Sequence, residues 1–410
     1  MEEAVSGPEP ARTDPAGRPR GGHGAGGAGP VLDAATIRQA LAGVQDPELG
    51  AGLVELGMIR EVAVEGSSVT VEVALTMQGC PLRTRLRADV EAAVRQVPGV
   101  EQVTVRFGLL DAEERRALMA TARRRAQERA PATSLPARAR VLLVTSGKGG
   151  VGKSSVAVNL AAALARPGQV VGLLDADIWG FSVPRLLGMD GRLEAAGGKI
   201  QPRRLAVGDG ELRVVSMGFL AEEDTAVLWR GLKLSRAVQQ FLEDVAWDGV
   251  DLLVIDAPPG TGDVPMALAR LLPRSEVLVV TTPPLAAQQV AARAADLARR
   301  HHLRVSGVIE NMAGFVCEHG SSYPLFGEGG GERLADALGV PLLGSVPFDP
   351  AVAVGGDRGE LAVLGPGPAG SALRAIAERL RDDPQAAEAA SCAGRLLDAV
   401  ERAVAGVARG

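Results

Sequence analysis

The sequence predicts an α/β domain with a doubly wound, mostly parallel sheet, preceded by a small α+β domain. Three observations predict it. From Ala139 onward, continuous apolar runs alternate with helical patterns: Val141–Val144, Val170–Leu174, Leu212–Val215, Leu252–Ile255, Val277–Thr281, Val305–Ile309 and Leu342–Val346. Such runs suit strands buried on both faces by helices. The first run enters the glycine-rich loop GKGGVGKSS, Gly147–Ser155, and a helical pattern with Val156, Leu160 and Leu164 follows, which reads as strand, loop, helix. Upstream, an alternating strand, Ser68–Leu75, lies between two helical patterns.

In chain order, residues 1–30 are rich in Gly, Pro and Arg, cannot form a core, and are expected to be disordered. The small domain is expected over residues 31–110. It begins with a helix carrying Ile37 and Leu41, and a short strand near Ile59–Val64 precedes Ser68–Leu75. A second helix with Leu82, Leu86, Val90 and Val94 and a final strand, Val100–Phe107, complete an α-β-β-α-β order. Residues 111–138 are charged and helical, then Pro-interrupted; they read as a linker whose run Arg123–Arg125 is a solvated face. The large domain is expected over 139–382, closed by a helix at Ser371–Arg381 with Leu373, Ile376 and Leu380 on one side. Residues 383–410 form an Ala-rich helical tail containing Cys392.

The totals restrict the function classes. With 410 residues two domains are expected, and 46% apolar with 23% charged residues describes a soluble globular chain. A net charge of −5 and 3% aromatic residues argue against a nucleic-acid footprint or base-stacking platform. No apolar run reaches the roughly 18 residues of a membrane span. Three cysteines, Cys80, Cys317 and Cys392, make no disulfide framework and suit a reducing compartment, so a cytoplasmic location is expected.

The loop Gly147–Ser154 fits G-x-x-x-x-G-K-[ST]. Gly147, Gly149, Gly150 and Gly152, with Val151, let backbone N–H groups turn onto phosphate oxygens, and the following helix N-terminus, through Ser154 and Ser155, adds partial positive charge. Lys153 would reach the β- and γ-phosphates, and the Ser154 hydroxyl would ligate Mg²⁺. A second lysine, Lys148, follows the first glycine, where an ordinary phosphate loop makes no fixed demand. Only four of the 44 basic residues are lysines, Lys148, Lys153, Lys199 and Lys233. In a chain that drifts towards arginine, lysine is kept where a compact point charge must fit a tight space.

Carboxylates follow two of the strands, where ligands sit in α/β sheets. Val170–Leu174 runs into Asp175 and Asp177, and Leu252–Ile255 runs into Asp256. Asp256 would hold Mg²⁺ through water. Asp177 would orient an attacking water, or Asp175 or Asp177 would cap the next segment. Gly260 and Gly262 in PPGTGD would permit a peptide flip when a γ-phosphate is present. The amide of Asn311 can pair with adenine. Cys317 and His319 make half of a tetrahedral metal site, which a two-fold dimer would complete, or else a buried cysteine beside an exposed histidine. Cys80, just before a helix, is either an activated thiolate or packing.

Together these residues resemble the Mrp/ApbC family of iron–sulfur cluster carrier ATPases, in the deviant Walker-A group that includes MinD/ParA proteins and nitrogenase iron protein. The motifs are GKGGVGKSS with its extra Lys148, DADIWGFSVP, LWRG at Leu228–Gly231, DAPPGTGD and IENM. The upstream motifs DPE at Asp46–Glu48, LGMI at Leu56–Ile59 and TMQGCP at Thr76–Pro81 are similar to an iron–sulfur-assembly domain. The resemblance implies a homodimer that sandwiches two ATP molecules and hydrolyses them, with Lys148 crossing to the partner's phosphates. It implies Asp177 positioning water, with Asp256 and Ser154 on Mg²⁺. It also implies a labile iron–sulfur cluster, of 4Fe–4S type, held between subunits near Cys317. The implied partners are apo iron–sulfur proteins and assembly scaffold proteins, with no nucleic acid or membrane.

The chain departs from the family's pattern in two places. The family has C-x-x-C where this chain has Cys317-Glu318-His319-Gly320, so glycine stands for the second cysteine. Histidine ligates some iron–sulfur centres, and Cys80 is another source of the missing thiolate. Leu232-Lys233 follows Gly231 where the family has Pro-Met. Two rival readings remain: an ATP-switched scaffold without a cluster, and a MinD/ParA-type positioning ATPase. The second needs a lipid-binding helix or basic surface, which Arg395–Arg409 supplies poorly.

Overall fold

The computed structural model describes residues 32–47, 49–76, 80, 82–177, 180–219, 232–317, 319 and 321–383. The expectations for both termini, Cys392, the LWRG motif, the Lys233 side chain, Glu48, Gly320 and most of TMQGCP lie outside the described residues. By internal contacts the chain forms two compact units. One holds the described residues up to Gln45 and Gly52–Leu110; the other holds Asp46–Ala51 and the described residues from Asp111 on.

The first unit contains helix α1 (Ala34–Leu41), strands β1 (Ile59–Glu65) and β2 (Ser68–Leu75), helix α2 (Arg83–Arg95) and strand β3 (Gln102–Leu109). This is the α-β-β-α-β order read from the sequence. Asp33 starts α1 by accepting the Thr36 N–H at 2.8 Å, which satisfies a donor the helix leaves unpaired. β1 pairs antiparallel with β2, and β2 pairs parallel with β3. The alternation of β2 buries Val69, Val71 and Val73, while α1 and α2 bury Ile37 and Leu41, and Leu86, Val90 and Val94.

Helix α3 (Ala112–Arg129) opens with a capping box in which Asp111 and Glu114 satisfy each other's backbone donors. It departs from the expected solvated linker. Leu118 and Ala122 are buried, and Arg123 Nε donates to the His302 carbonyl at 2.8 Å. Positions 118 and 122 lie four apart, so they share one helix face, with Arg123 beside them. Burial lowers the Arg123 pKa. Arg124 and Arg125 do face outward, pairing with Glu128.

The second unit is built on a nine-stranded sheet. Its elements are β4 (Arg140–Ser146), α4 (Lys153–Leu164), β5 (Val170–Asp175), α5 (Val183–Leu186), β6 (Arg203–Val207), β7 (Gly210–Ser216), α6 (Leu232–Glu243), β8 (Leu252–Asp256), α7 (Asp263–Leu271) and β9 (Glu276–Thr281). They continue with α8 (Leu285–Arg300), β10 (Arg304–Val316), β11 (Ser322–Tyr323), α9 (Gly330–Leu338), β12 (Leu342–Phe348), α10 (Pro350–Arg358) and α11 (Pro368–Arg381). The order is β6-β7-β5-β8-β4-β9-β10-β11, with β12 also on β10. All seven apolar runs lie in this sheet, and their mutual pairings are parallel. β6 and β11 are antiparallel additions that the sequence pattern did not reveal. They are short and partly exposed, so neither carries a buried run.

The sheet is covered on both faces. Alternation along β4 sends Leu142 and Val144 to one core with Val156, Leu160, Leu373 and Ile376. Val141 and Leu143 go to the other, with Val238, Phe241, Leu268 and Leu334. At the strand starts, Arg140 grips the buried Glu276 with two bonds of 2.7 and 2.8 Å, and Ser306 adds a third at 3.0 Å. Two well-made bonds to one carboxylate stabilise a buried charge only while both partners remain. Glu276→Ala should therefore lower stability by about 3 kcal/mol in urea unfolding, because Arg140 loses its carboxylate and keeps only the Leu380 carbonyl as acceptor.

Candidate active site

Parallel register brings the strand ends together. Asp256 sits beside Asp175, Asp175 beside Ser216, and Asp256 also beside Val144 of the strand that enters the phosphate loop. Three polar residues at successive strand tips thus converge next to Gly147–Ser154, the placement expected of a ligand site in such a sheet.

The loop takes its shape from its glycines. Gly150 and Gly152 have φ of 78° and 76°, a left-handed conformation that costs other residues free energy. A Cβ on Gly147 would lie 2.2 Å from the backbone of Val290 and Ala291 in α8. A Cβ on Gly152 would lie 2.2 Å from Asn311 Nδ2. By contrast, nothing stands within 4 Å of that position on Gly149 or Gly150. The loop is therefore packed where it joins the sheet and open where phosphate oxygens would approach.

Lys153, the first residue of α4, is buried and donates to Asp256 Oδ1 at 2.5 Å. Its Nζ also lies 3.3 Å from Ser154 Oγ and 3.7 Å from Asp177 Oδ2. Asp256 is fully buried, and its Oδ2 has no hydrogen-bond partner among the described residues. Burial raises its pKa, and Lys153 opposes that shift. Asp175 accepts from Ser216 Oγ at 2.8 Å and from the Asp177 N–H at 3.1 Å. Burial, then the nearby charge of Asp256, pushes its pKa up to about 7. An unpartnered carboxylate oxygen beside a hydroxyl is a hard-oxygen donor set that fits Mg²⁺.

Lys148 is exposed while its backbone carbonyl is held by Ser146 Oγ at 3.0 Å. Gly260 adopts φ of 87° and donates its N–H to the Ser146 carbonyl at 2.8 Å, so the PPGTGD turn is fastened to the end of β4. Of the two glycines singled out there, Gly262 has φ of −76°, open to any residue. Asn311 Nδ2 donates to the Val151 carbonyl at 2.8 Å, which places this amide against the phosphate loop.

The strand that carries Asn311 ends at Val316, next to Cys317. The Cys317 N–H donates to the Ser321 carbonyl at 3.0 Å, and the N–H of His319, with further bonds from Ser321, lowers the thiol pKa. His319 is exposed. Among the described residues no three His, Cys, Asp or Glu side chains cluster as a metal site. Cys80 lies in the other unit, partly buried, ahead of α2.

The family model described as NUBPL iron-transfer P-loop NTPase matches residues 138–381. The chain belongs to this family. A second model, described as iron–sulfur cluster assembly protein, matches residues 34–105. An iron–sulfur cluster carrier protein of Mycobacterium leprae is 44% identical over 354 residues, 84% of this chain and 91% of the relative. One of Deinococcus radiodurans is 43% identical over 347 residues, 84% of this chain and 93% of the relative. A solved nucleotide-binding protein from Archaeoglobus fulgidus, in complex with ADP, is 33% identical, covering 55% of this chain and 89% of that one with a TM-score of 0.48.

In this NUBPL-type NTPase, Gly147–Ser155, Asp177, Asp256 and Asn311 therefore gather at one end of the sheet. Cys317 and His319 stand at the end of β10. Sequence reasoning missed Ser216, although it follows the run Leu212–Val215 just as Asp175 follows Val170–Leu174. It also passed over Glu310, whose carboxylate accepts from the Gly331 N–H at 2.8 Å and Ser345 Oγ at 3.0 Å and so braces α9. Among the described residues no helix is long and apolar enough to cross a membrane. The amide donors around Cys317 set a testable reactivity. Peptide-resolved alkylation with iodoacetamide should show Cys317 half-reactive at a pH below the roughly 8.5 of a free cysteine. A midpoint at or above that value would mean the amides do not stabilise its thiolate.

Proposed function

We propose that this chain binds and hydrolyses ATP as a two-fold dimer and carries an iron–sulfur cluster of 4Fe–4S type to apo-proteins, receiving it from scaffold proteins in the cytoplasm. The observation that carries the nucleotide half is the phosphate loop with two lysines in opposite settings. Lys153 is buried against Asp256, and Lys148 is exposed. The buried lysine and the amides of Gly149, Gly150, Val151 and Gly152 would take the β- and γ-phosphates of the chain's own nucleotide. The exposed one is free to reach a second copy's phosphates, a role usually filled by an arginine finger. Mg²⁺ on Ser154 and Asp256 would offset the phosphate charge. Asp177, at 14% side-chain exposure, would orient the attacking water, and Asn311 would meet adenine with the amide atoms not used on Val151.

The carrier half is supported by the relatives' names and by the acidified Cys317. Two copies would bring two Cys317 and two His319 side chains to one cluster, a mixed ligand set known for iron–sulfur centres. The absence of a second cysteine at Gly320 favours the alternative, an ATP-switched scaffold that holds no cluster.

Anaerobic reconstitution with iron and sulfide separates the two. The carrier reading expects bound iron in the wild type, its loss in Cys317→Ser, and ATP turnover retained in that variant. No iron in either protein would leave the scaffold reading. In Lys148→Arg, ATP binding should persist while turnover falls by at least about 10³-fold, since a planar guanidinium does not fit a site shaped for a point charge. Wild-type turnover there would remove Lys148 from the mechanism.

A further inference from the structure

The chemistry above gives Asp175 no task, yet its carboxylate is fully buried and accepts three donors. Oδ1 takes the Asp177 N–H at 3.1 Å, and Oδ2 takes Ser216 Oγ at 2.8 Å and the Val183 N–H at 3.4 Å. Residue 177 carries the carboxylate beside Lys153, and residue 183 begins α5. Ser216 ties the same group to the tip of β7, and its Oγ accepts the Gly218 N–H at 3.0 Å. Gly218 in turn has no room for a side chain, since a Cβ there would lie 2.8 Å from Phe181 and 3.0 Å from Pro184. Asp177 and Val183 are thus both held to Asp175, and Phe181 and Pro184 pack against the backbone after β7.

We propose that Asp175 is a positioning residue for ATP hydrolysis. By clamping the Asp177 amide and the start of α5 to the sheet, it fixes the Asp177 carboxylate beside Lys153. The inference rests on the reading of Asp177 as the group that orients water. A carboxylate offers two acceptor oxygens, enough for three donors. An asparagine of the same shape offers one oxygen, and its NH₂ must face a donor, so at least one clamp opens. A water-orienting group displaced by about 1 Å loses about 10²-fold in rate without weakening substrate binding.

The test is a double-mutant cycle of Asp175→Asn and Asp177→Ala, reading kcat, KM for ATP and thermal midpoint. Asp175→Asn should lower kcat by about 10²-fold with KM for ATP changed less than about twofold. In the Asp177→Ala background the same substitution should produce no further loss, because the clamp would have nothing left to position. Two losses that multiply would overturn the inference, showing that Asp175 acts on its own. Ser216→Ala removes one clamp without changing charge. It should lower kcat in the same direction with KM unchanged, and it carries the same cycle where Asp175→Asn does not fold. Full turnover in Asp175→Asn or Ser216→Ala alongside an inactive Asp177→Ala would overturn this inference alone. Full turnover in Asp177→Ala would overturn the reading of Asp177 together with it.

Discussion

The buried bond from Lys153 to Asp256 is the constraint on which the nucleotide end of the sheet depends. A carboxylate and an ammonium taken out of water are tolerable only when closely paired, since each alone carries a desolvation penalty of several kcal/mol. Here the pair forms at 2.5 Å between the first residue of α4 and the last residue of β8. It therefore joins the phosphate-loop helix to a neighbouring strand and holds the ammonium beside Ser154 and Asp177. Asp175 adds a second carboxylate to the same pocket, and the cost of burying both appears as a raised pKa on each.

That concentration of charge is held by an apolar frame. β4, β5, β8 and β9 are buried almost throughout, and helices on each face seal separate cores. The polar residues of these four strands are then confined to their ends. At one end Arg140 and Glu276 satisfy each other, and at the other Lys153, Asp175, Asp256 and Ser216 do so, with one oxygen of Asp256 to spare. A closed network braces structure, whereas an acceptor left over beside an open glycine loop is chemically available. The 13-residue strand β10 links this end to Cys317, since it passes Asn311 against the loop and stops one residue short of the thiol.

Much of the site was legible because its chemistry is written in local spacing. The loop Gly147–Ser154 needs its glycines and lysine at fixed intervals, and the apolar run before Asp256 announces a strand ending in a carboxylate. Ser216 and the clamp role of Asp175 were not legible in the same way. They depend on β7, β5 and β8 lying side by side in register, and a sequence does not state which strands are neighbours. Arg123 was misjudged for a related reason. A run of arginines looks solvated until a tertiary partner, here the His302 carbonyl, takes one of them out of water.

By itself the sequence determined the alternation of buried strands and helices and the glycine–lysine spacing of the phosphate loop, because each follows from short-range pattern. Only the tertiary structure decided which polar strand ends meet, that Lys153 lies against Asp256 while Lys148 stays exposed, and that Asn311 touches the loop. Those facts rest on register and packing between segments about a hundred or more residues apart, such as Lys153 and Asp256 at 103 positions and Asn311 and Val151 at 160. No local rule of hydrophobic period reaches across such separations.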